Sequence, residues 1–279
     1  MKLLAGKNAL LTGGSRGIGP VIAQALAHQG VNLALVARSV DRLETVARSL
    51  SGLGVRAIPM PADLADARQV EALFQRVEAE LGPVDLLINN AAVEQVSHFI
   101  HLSPAEMQAL VTTNLTAPLL LTRLALPGML ARGSGHIVNI ASIAGKKAPP
   151  YNAVYGATKA ALIEWSGALR GELAGSGVGV SVVCPGFISE RGMFVDNYQG
   201  KRPPWLMGES PPEAVAQGVL RAIRQNRQEL LVTPRPARLG LALYALWPEL
   251  GNQFLRWVGV VDLFREVAEK DAKTKEPLV

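Results

Sequence analysis

The chain has 279 residues, 49% of them hydrophobic and 18% charged, so it can bury the core of one large α/β domain and is not intrinsically disordered. Its single cysteine excludes an intramolecular disulfide and a thiolate-rich metal site, and its four histidines lack metal-ligand spacing, so we expect no metal. The net charge of +5 is a mild excess without a nucleic-acid-binding motif, so we expect no nucleic-acid partner.

Strand and helix patterns alternate along the chain. Short apolar runs predict strands over residues 8–11, 31–37, 55–60, 84–88, 136–140, 178–183 and 229–233. Apolar residues at helical spacing predict helices over residues 21–29, 40–50, 66–81, 103–131, 152–174 and 211–225. This order predicts a single doubly wound parallel sheet of the Rossmann type with helices on both faces. Ligands of such sheets bind beyond the carboxyl ends of the strands.

The long helix predicted over residues 103–131 has a start signal and two candidate breaks. Ser103 and Glu106 have the spacing of a capping box, in which each side chain bonds the other residue's backbone. Pro118 and Pro127 lack the N–H that a helix interior needs, so we expect them to kink or interrupt the helix.

A glycine-rich turn joins the first predicted strand to the first helix. Its glycines permit a tight turn, a close approach of the backbone to a pyrophosphate, and close packing of helix on strand. The helix that follows offers unpaired N–H groups and a partial positive charge. We therefore predict a dinucleotide site whose turn residues are Gly13, Ser15, Arg16, Gly17, Ile18 and Gly19.

The end of the second strand decides between NAD and NADP. An acidic residue there would bond the ribose 2′-hydroxyl of NAD and repel a 2′-phosphate. Here the strand is followed by Arg38 and no carboxylate. Arg38, together with Arg16 of the turn, can bind the 2′-phosphate, so the sequence favours NADP(H). The alternative is that both are ordinary surface arginines.

Tyr155 and Lys159 are four residues apart on a predicted helix and therefore share one face. A nearby cation lowers the pKa of a phenol, which is otherwise near 10. The pair alone is a weak signal, because most such pairs are surface contacts. Three features strengthen it: Ser142 ends the preceding strand, Asn89-Asn90-Ala91 ends the fourth strand, and Asn114 lies within the long helix.

With these motifs, and with Asp63 and Pro185-Gly186, the sequence resembles the short-chain dehydrogenase/reductase family over about residues 5–234. The resemblance implies that Tyr155 is the general acid that protonates a substrate carbonyl oxygen. Lys159 would lower the pKa of that tyrosine and bond the nicotinamide ribose. Ser142 would hold the substrate oxygen, and Asn114 would anchor a water that relays protons to Lys159.

The resemblance also implies further contacts with the cofactor. Asp63 would meet the adenine, and Ile188 would meet the nicotinamide amide. Tyr155 and Lys159 are shared between the catalytic and the cofactor sets, and the remaining cofactor residues would be Leu64, Asn90, Ala91, Pro185 and Gly186.

These residues predict an NADPH-dependent oxidoreductase that reduces the carbonyl of a bulky apolar, lipid-like or 3-oxoacyl substrate to an alcohol. One alternative is an alcohol or hydroxysteroid dehydrogenase that works in the oxidative direction. Another is a non-catalytic NADP-binding regulator on the same fold. The intact Tyr155 and Lys159 pair disfavours the regulator.

We divide the chain into a Rossmann-type domain over residues 1–234 and a helical extension over residues 235–279. Within the domain, residues 187–210 are apolar, contain glycines at which they can move, and are interpreted as a substrate lid. The competing interpretation is a loop packed against the extension. Many relatives end in a short tail used in tetramer packing, so the extension argues against that tetramer, and we favour a homodimer.

The extension is rich in aromatic residues at helical spacing. Residues 239–247 are apolar, and further apolar positions are Phe254, Trp257, Val261, Phe264 and Ala268. With the neighbouring arginines they suggest a helix pair at a membrane surface, although the same face could pack on the domain or on a second subunit. No run approaches the roughly 20 apolar residues that span a bilayer, and no signal peptide is evident. We therefore expect a cytoplasmic protein, and the alternative is a cytoplasmic protein that associates peripherally with a membrane.

Overall fold

The computed structural model describes residues 3–198 and 200–274. In this part of the chain, seven strands form one parallel sheet in the order β3-β2-β1-β4-β5-β6-β7. The strands are β1 Asn8–Thr12, β2 Asn32–Ala37, β3 Ala57–Pro61, β4 Leu86–Asn89, β5 Gly135–Ile140, β6 Val178–Pro185 and β7 Glu229–Val232. The predicted doubly wound sheet is confirmed. The strand order reverses between β1 and β4, and a ligand crevice is expected there.

The helices cover both faces of this sheet. They are α1 Gly19–Ala27, α2 Val40–Leu50, α3 Ala67–Leu81, α4 Pro104–Val111, α5 Ala117–Ala131, α6 Ala153–Glu172, α7 Met193–Tyr198, α8 Pro212–Gln225, α9 Arg235–Leu246, α10 Pro248–Trp257 and α11 Val260–Thr274. Most predicted elements are present within two residues of their expected ends. The predicted helical extension is present as α9, α10 and α11, whereas α7 lies in a segment that was expected to be irregular.

The two faces of the sheet bury separate apolar clusters because side chains alternate along a strand. Leu11 and Leu35 point into the cluster covered by α1, α2 and α8. Leu10 and Val36, their neighbours along the strands, point into the cluster covered by α3, α5 and α6. Strands buried on both faces have no polar side to expose, which explains their nearly continuous apolar sequences.

Neither Pro118 nor Pro127 interrupts the long helix, and a kink at either residue stays a prediction. The capping box at Ser103 is present, with a bond of 2.8 Å from the Ser103 N–H to the Glu106 carboxylate. From there α4 continues into α5 through a π-helical turn over Thr112–Thr116. That turn lies just before Pro118 and already departs from the regular α-helical hydrogen bonding. Pro127 is exposed, so water can solvate the backbone carbonyl that would otherwise accept a bond from the missing N–H of this proline.

The uninterrupted helix also corrects the expectation about membrane spans. Pro104–Ala131 has 28 residues and contains an 18-residue stretch with a mean hydropathy of 1.3, which by length and composition would suffice to cross a bilayer. In this structure the buried side chains of its second half pack in the sheet cluster, among them Ala117, Leu121, Ala125 and Met129. The helix is therefore a core element of the described fold.

The extension forms two different substructures. The helix α11 packs on the domain, with Phe264 and Ala268 buried beside Tyr198 and Met207 of the lid. By contrast, Trp257 at the end of α10 is 76% exposed. The single apolar stripe predicted from Phe254 to Ala268 is thus divided between two helices, because the chain turns between α10 and α11. Residues 1–2, 199 and 275–279 of the predicted domain, lid and extension lie outside the described residues.

The lid contacts the extension directly. Lys201 forms an ion pair with Glu266 of α11, and the Tyr198 ring meets the Phe264 ring edge-on at 5.3 Å between centroids. Residues 187–210 therefore pack in part against the extension, and their action as a substrate lid stays a prediction. The same segment also forms part of the cavity described below.

Acid is expected to destabilise the protein through His136. This residue is 1% exposed, its Nε2 lies 2.8 Å from Ser181 Oγ, and burial lowers its pKa to about 3. The unfolded chain therefore binds the proton more readily, and stability is lost as the pH falls below about 6.5. The loss from this group should reach about 2 kcal/mol near pH 5.

Urea unfolding of wild type and His136→Gln at neutral pH and near pH 5 measures this loss. The variant should lack the His136 part of the pH dependence, whatever its absolute stability. Identical pH slopes in the two proteins would contradict the assignment.

Candidate active site

A cavity of about 840 Å³ opens beyond the carboxyl ends of the strands. It is where residues following β1, β2, β4, β5 and β6 meet, as expected for a parallel sheet. Most of the residues predicted to bind the cofactor or to act in catalysis line it: Gly13, Ser15, Arg16, Gly17, Ile18, Arg38, Asp63, Leu64, Asn90, Ala91, Ser142, Tyr155, Lys159, Pro185, Gly186 and Ile188. Gly19 and Asn114 do not line it.

The glycine turn is tight enough to exclude larger side chains. A Cβ on Gly13, whose φ is +68°, would lie 2.8 Å from Asn90 Nδ2. A Cβ on Gly19 would lie 2.0 Å from the Gly13 carbonyl oxygen, so Gly19 acts by packing rather than by lining the cavity. Asn90 Nδ2 donates to the carbonyl oxygens of Thr12 and Gly13 and fixes this arrangement. The bare backbone facing the cavity at the start of α1 fits a pyrophosphate.

Three arginines line the same end of the cavity. Arg38 follows β2 as predicted, and Arg42 is the third residue of α2. Sequence reasoning missed Arg42, although it lies four residues after Arg38 on a helix that begins at the strand end. Arg16 Nη1 lies 3.2 Å from Asp196 Oδ2 of α7, and both side chains are about half exposed. Among the described residues, Arg38 and Arg42 have no ion-pair partner, so both guanidinium groups can meet a phosphate.

Tyr155, Lys159 and Ser142 meet at the inner end of the cavity. Tyr155 and Lys159 are 5% and 2% exposed, and Lys159 Nζ lies 5.7 Å from the centre of the tyrosine ring. Lys159 Nζ also donates to the Ile140 carbonyl oxygen at 2.9 Å, which fixes the ammonium under the end of β5. Ser142 Oγ accepts a bond of 3.1 Å from the Ala144 N–H and donates a long bond of 3.5 Å to the Pro185 carbonyl oxygen.

Burial has the largest effect on the electrostatics of this group. Burial raises the pKa of the Tyr155 phenol, the charge of Glu94 raises it further, and the hydrogen bond with Ser142 acts in the opposite direction. Burial is thus the largest influence on the pKa of this phenol, and the lowering of that pKa by Lys159 stays a prediction. Burial lowers the pKa of Lys159 to about 8. At neutral pH the phenol is protonated and the lysine is predominantly charged.

Asn114 lies behind the catalytic group rather than in the cavity. It is fully buried in the π-helical turn, where its amide accepts from the Val93 N–H and donates to the Val93 carbonyl oxygen, both at 2.8 Å. It also donates to Thr158 Oγ1 at 3.2 Å, next to Lys159. Asn114 thus joins the loop after β4 to α6, and its part in a proton relay stays a prediction.

Several cavity residues had no sequence motif. Glu94 and Asn152 line the wall near Tyr155, and Lys147 Nζ lies 4.7 Å from the centre of the Tyr244 ring of α9. The lid and the extension supply apolar wall residues: Phe187, Met193, Phe194, Met207, Leu241, Leu255, Val260 and Phe264. A lone charged residue in a loop carries no spacing signal, so only the fold could place these residues beside the catalytic group.

Histidine and acidic side chains do not assemble a metal centre in the described part of the chain. No three of its His, Cys, Asp and Glu residues are placed to hold one ion. His98 and His101 meet edge to face, with 5.9 Å between ring centroids.

A family model described as short chain dehydrogenase matches residues 7–200. This range contains the glycine turn, Ser142, Tyr155 and Lys159 in the arrangement described above. The chain belongs to the short-chain dehydrogenase family. Membership in this family makes it an oxidoreductase, and a small-molecule substrate follows from the same membership.

Two curated members of the short-chain dehydrogenase family illustrate the range of similarity. Ketoacyl reductase HetN of Nostoc sp. is 44% identical over 278 residues, which cover 98% of this chain and 96% of HetN. The 3-oxoacyl-(acyl-carrier-protein) reductase FabG of Staphylococcus aureus is 37% identical over 183 residues, 65% of this chain and 74% of FabG. The alignment with HetN extends through the C-terminal extension, so the extension does not set this chain apart from all of its relatives.

Solved structures of this family agree with the fold. A metagenomic short-chain oxidoreductase in complex with NADP has a TM-score of 0.71 and 33% identity, covering 83% of this chain and 98% of its own. The L-sorbose reductase of Gluconobacter frateurii, complexed with NADPH and L-sorbose, has a TM-score of 0.76 and 29% identity. The match covers 83% of this chain and 97% of the reductase chain.

Proposed function

We propose that this protein is an NADPH-dependent reductase that converts the carbonyl group of a bulky apolar, lipid-like or 3-oxoacyl substrate to an alcohol. One observation carries the proposal: a buried Tyr155 lies with Ser142 and Lys159 at the inner end of a cavity with apolar walls. The ketoacyl reductases HetN and FabG, to which the chain is similar, support this reaction class.

NADP(H) is the cofactor in this proposal. Arg38 and Arg42 line the cavity where the second strand ends, and the turn around Gly13 leaves backbone free to approach a pyrophosphate. Relatives whose structures contain NADP and NADPH support the choice. When bound, the cofactor supplies the hydride that the carbonyl carbon receives.

The chain's own residues orient the substrate and provide a proton. The Ser142 hydroxyl bonds the substrate oxygen, and Tyr155 donates its phenolic proton to that oxygen as negative charge develops there. Lys159 offsets the negative charge left on the phenolate, because its ammonium is fixed below the ring by the Ile140 carbonyl. Asn114 supports this geometry from behind by joining Val93 to Thr158.

The state of Tyr155 favours the reductive direction. Burial and the charge of Glu94 raise its pKa, so at neutral pH the phenol holds the proton that a general acid has to donate. An alcohol or hydroxysteroid dehydrogenase, which is the alternative, needs the phenolate as its base. NADPH consumption with ketones, 3-oxoacyl thioesters and oxosteroids, compared with NADP⁺ reduction by the matching alcohols, tests the direction. A preference for alcohol oxidation near neutral pH would favour the alternative.

The extension is proposed to bring the protein to an anionic membrane surface. Leu239, Leu246 and Trp257 of α9 and α10 are 72%, 68% and 76% exposed, although both helices contact each other closely. Leu241 and Leu255 of the same two helices line the cavity. Arg235 and Arg256 are exposed beside these residues and suit phosphate headgroups. A lipid-like substrate could then enter from the surface on which the helices lie.

Flotation with phosphatidylglycerol and phosphatidylcholine vesicles tests this contact. The wild type should float with the anionic vesicles, and the double variant L246S/W257S should lose most of that binding. Ile100→Ser, which changes an equally exposed apolar residue far along the chain, should bind as the wild type does. Equal flotation of all three proteins would contradict the proposal. A double variant that instead changes the oligomeric state would show that a second copy covers this face.

A cytoplasmic location and a homodimer complete the proposal. Both come from the sequence, and family members are typically oligomers. Cell fractionation and light scattering of the purified full chain test them.

A further inference from the structure

The apolar part of the cavity contains one feature that the reduction itself does not use. Glu94, in the loop after β4, lines the wall close to Tyr155 and Lys159. The other two carboxylates of the cavity wall, Asp63 and Asp196, lie by the residues expected to hold the cofactor, and Asp196 is paired with Arg16. A carboxylate among apolar walls is costly unless a ligand or a protein group compensates it.

Only neutral groups hold the Glu94 carboxylate. Its Oε1 accepts from Asn152 Nδ2 at 2.6 Å, and its Oε2 accepts from Asn197 Nδ2 at 3.2 Å. Within the described part of the chain, no lysine or arginine forms an ion pair with it. Each carboxylate oxygen can accept about two hydrogen bonds, so both have acceptor capacity left.

Asn152 adds an acceptor beside this carboxylate. The residue is 1% exposed and lines the cavity immediately before α6. Its Nδ2 is committed to Glu94, which fixes the orientation of the amide and leaves Oδ1 buried without a hydrogen-bond partner among the described residues. Asn152 does not cap α6 with its side chain, although asparagine is a favoured residue at that position. The amide therefore serves the cavity wall instead of the helix.

We propose that Glu94 and Asn152 form a polar subsite that binds a hydrogen-bond donor of the substrate, a hydroxyl or an amino group near the reacting carbonyl. This inference rests on the proposed reduction and names its substrate class more closely: an apolar ketone with one donor group. Asn152 precedes Tyr155 by three residues, so the subsite and the proton donor lie about one helical turn apart on α6.

The electrostatics agree with this position. Burial raises the pKa of Glu94, while the hydrogen bonds from Asn152 and Asn197 and the charge of Lys159 act against that rise. In return, the charge of Glu94 raises the pKa of both Tyr155 and Lys159. A donor bound by Glu94 is therefore within electrostatic reach of the catalytic group. An ammonium would gain most from a carboxylate, and a hydroxyl would gain from either acceptor.

The experiment compares ketones of one carbon skeleton in the NADPH consumption assay. The probes are methyl hexyl ketone and its derivatives with a hydroxyl or an amino group on the α, β or γ carbon. With the wild type, at least one derivative should exceed the plain ketone in kcat/KM by about tenfold, mostly through a lower KM. Glu94→Ala and Asn152→Ala should bring that ratio to about one. Glu94→Gln should keep more of a preference for the hydroxyl than for the amino group.

The controls distinguish a misfolded variant from a lost subsite, and they distinguish failure of the subsite from failure of the proposed reductase function. Glu71→Gln, on the exposed face of α3, should leave the ratio and the activity unchanged. NADPH binding and thermal unfolding show whether each variant is folded. A wild type that binds NADPH but reduces no ketone would contradict the proposed function. A wild type that reduces the plain ketone as well as every derivative would overturn the subsite alone.

Discussion

Tyr155→Phe is expected to lower kcat for carbonyl reduction by about three to four orders of magnitude, the upper range of a general acid's contribution. The variant removes the one phenolic proton that the cavity presents beside Ser142. Phenylalanine keeps the ring and its packing in this buried position, where Tyr155 is 5% exposed. The affinity for NADPH should therefore change by less than about threefold, as measured by quenching of protein fluorescence on titration with NADPH.

The control for this variant removes a hydroxyl from a neighbouring tyrosine. Tyr151 meets His98 edge to face, with 5.0 Å between ring centroids, and it does not line the cavity. Tyr151→Phe should keep kcat within about twofold of the wild type. If Tyr155→Phe retained substantial turnover, another group would have to donate the proton, and the assignment of the acid would be wrong.

Arg38→Glu is expected to reverse the cofactor preference. The change replaces a guanidinium that can bind a 2′-phosphate with a carboxylate that repels it and can bond a 2′-hydroxyl. We expect kcat/KM for NADPH to fall about 100-fold and that for NADH to rise. Arg42 lines the same end of the cavity, so a single change should leave some residual binding of NADPH.

A second arginine of the same helix provides the comparison. Arg48 of α2 is exposed and donates to the Glu44 carbonyl oxygen outside the cavity. Arg48→Glu changes the net charge by the same amount and should leave the ratio of NADPH to NADH efficiency unchanged. If both variants moved that ratio equally, the effect would come from the overall field of the protein, and Arg38 would not contact the phosphate.

The sheet and the catalytic group were predictable because both depend on local spacing. Apolar runs of strand length predicted the buried strands. The helix α2 was predicted with the same bounds that the structure shows. The position of Ser142 after β5 and the helical spacing from Tyr155 to Lys159 predict that these three side chains lie together. Each prediction used one physical rule. The carboxyl ends of parallel strands lie at the same edge of a sheet, and residues four apart lie on the same face of a helix.

The errors arise where tertiary packing overrides a local rule. Pro118 was expected to kink or interrupt the long helix, but the helix continues through a π-helical turn that lies just before this residue. The apolar stripe of the extension suggested one continuous face, but the turn at Gly259, with φ of +82°, sends its two halves to different surroundings. The direction of the Tyr155 pKa could not be predicted either, because it depends on how completely the fold buries the phenol and on Glu94.

We propose above all that this chain reduces an apolar carbonyl with NADPH by proton donation from Tyr155. Its most direct test incubates the full chain with NADPH and with representatives of bulky ketones, 3-oxoacyl thioesters and oxosteroids, and quantifies NADPH consumed and alcohol formed. We expect at least one class to give one alcohol for each NADPH, with the product lost in Tyr155→Phe. NADPH binding without alcohol from any class, or equal product from both proteins, would contradict the account.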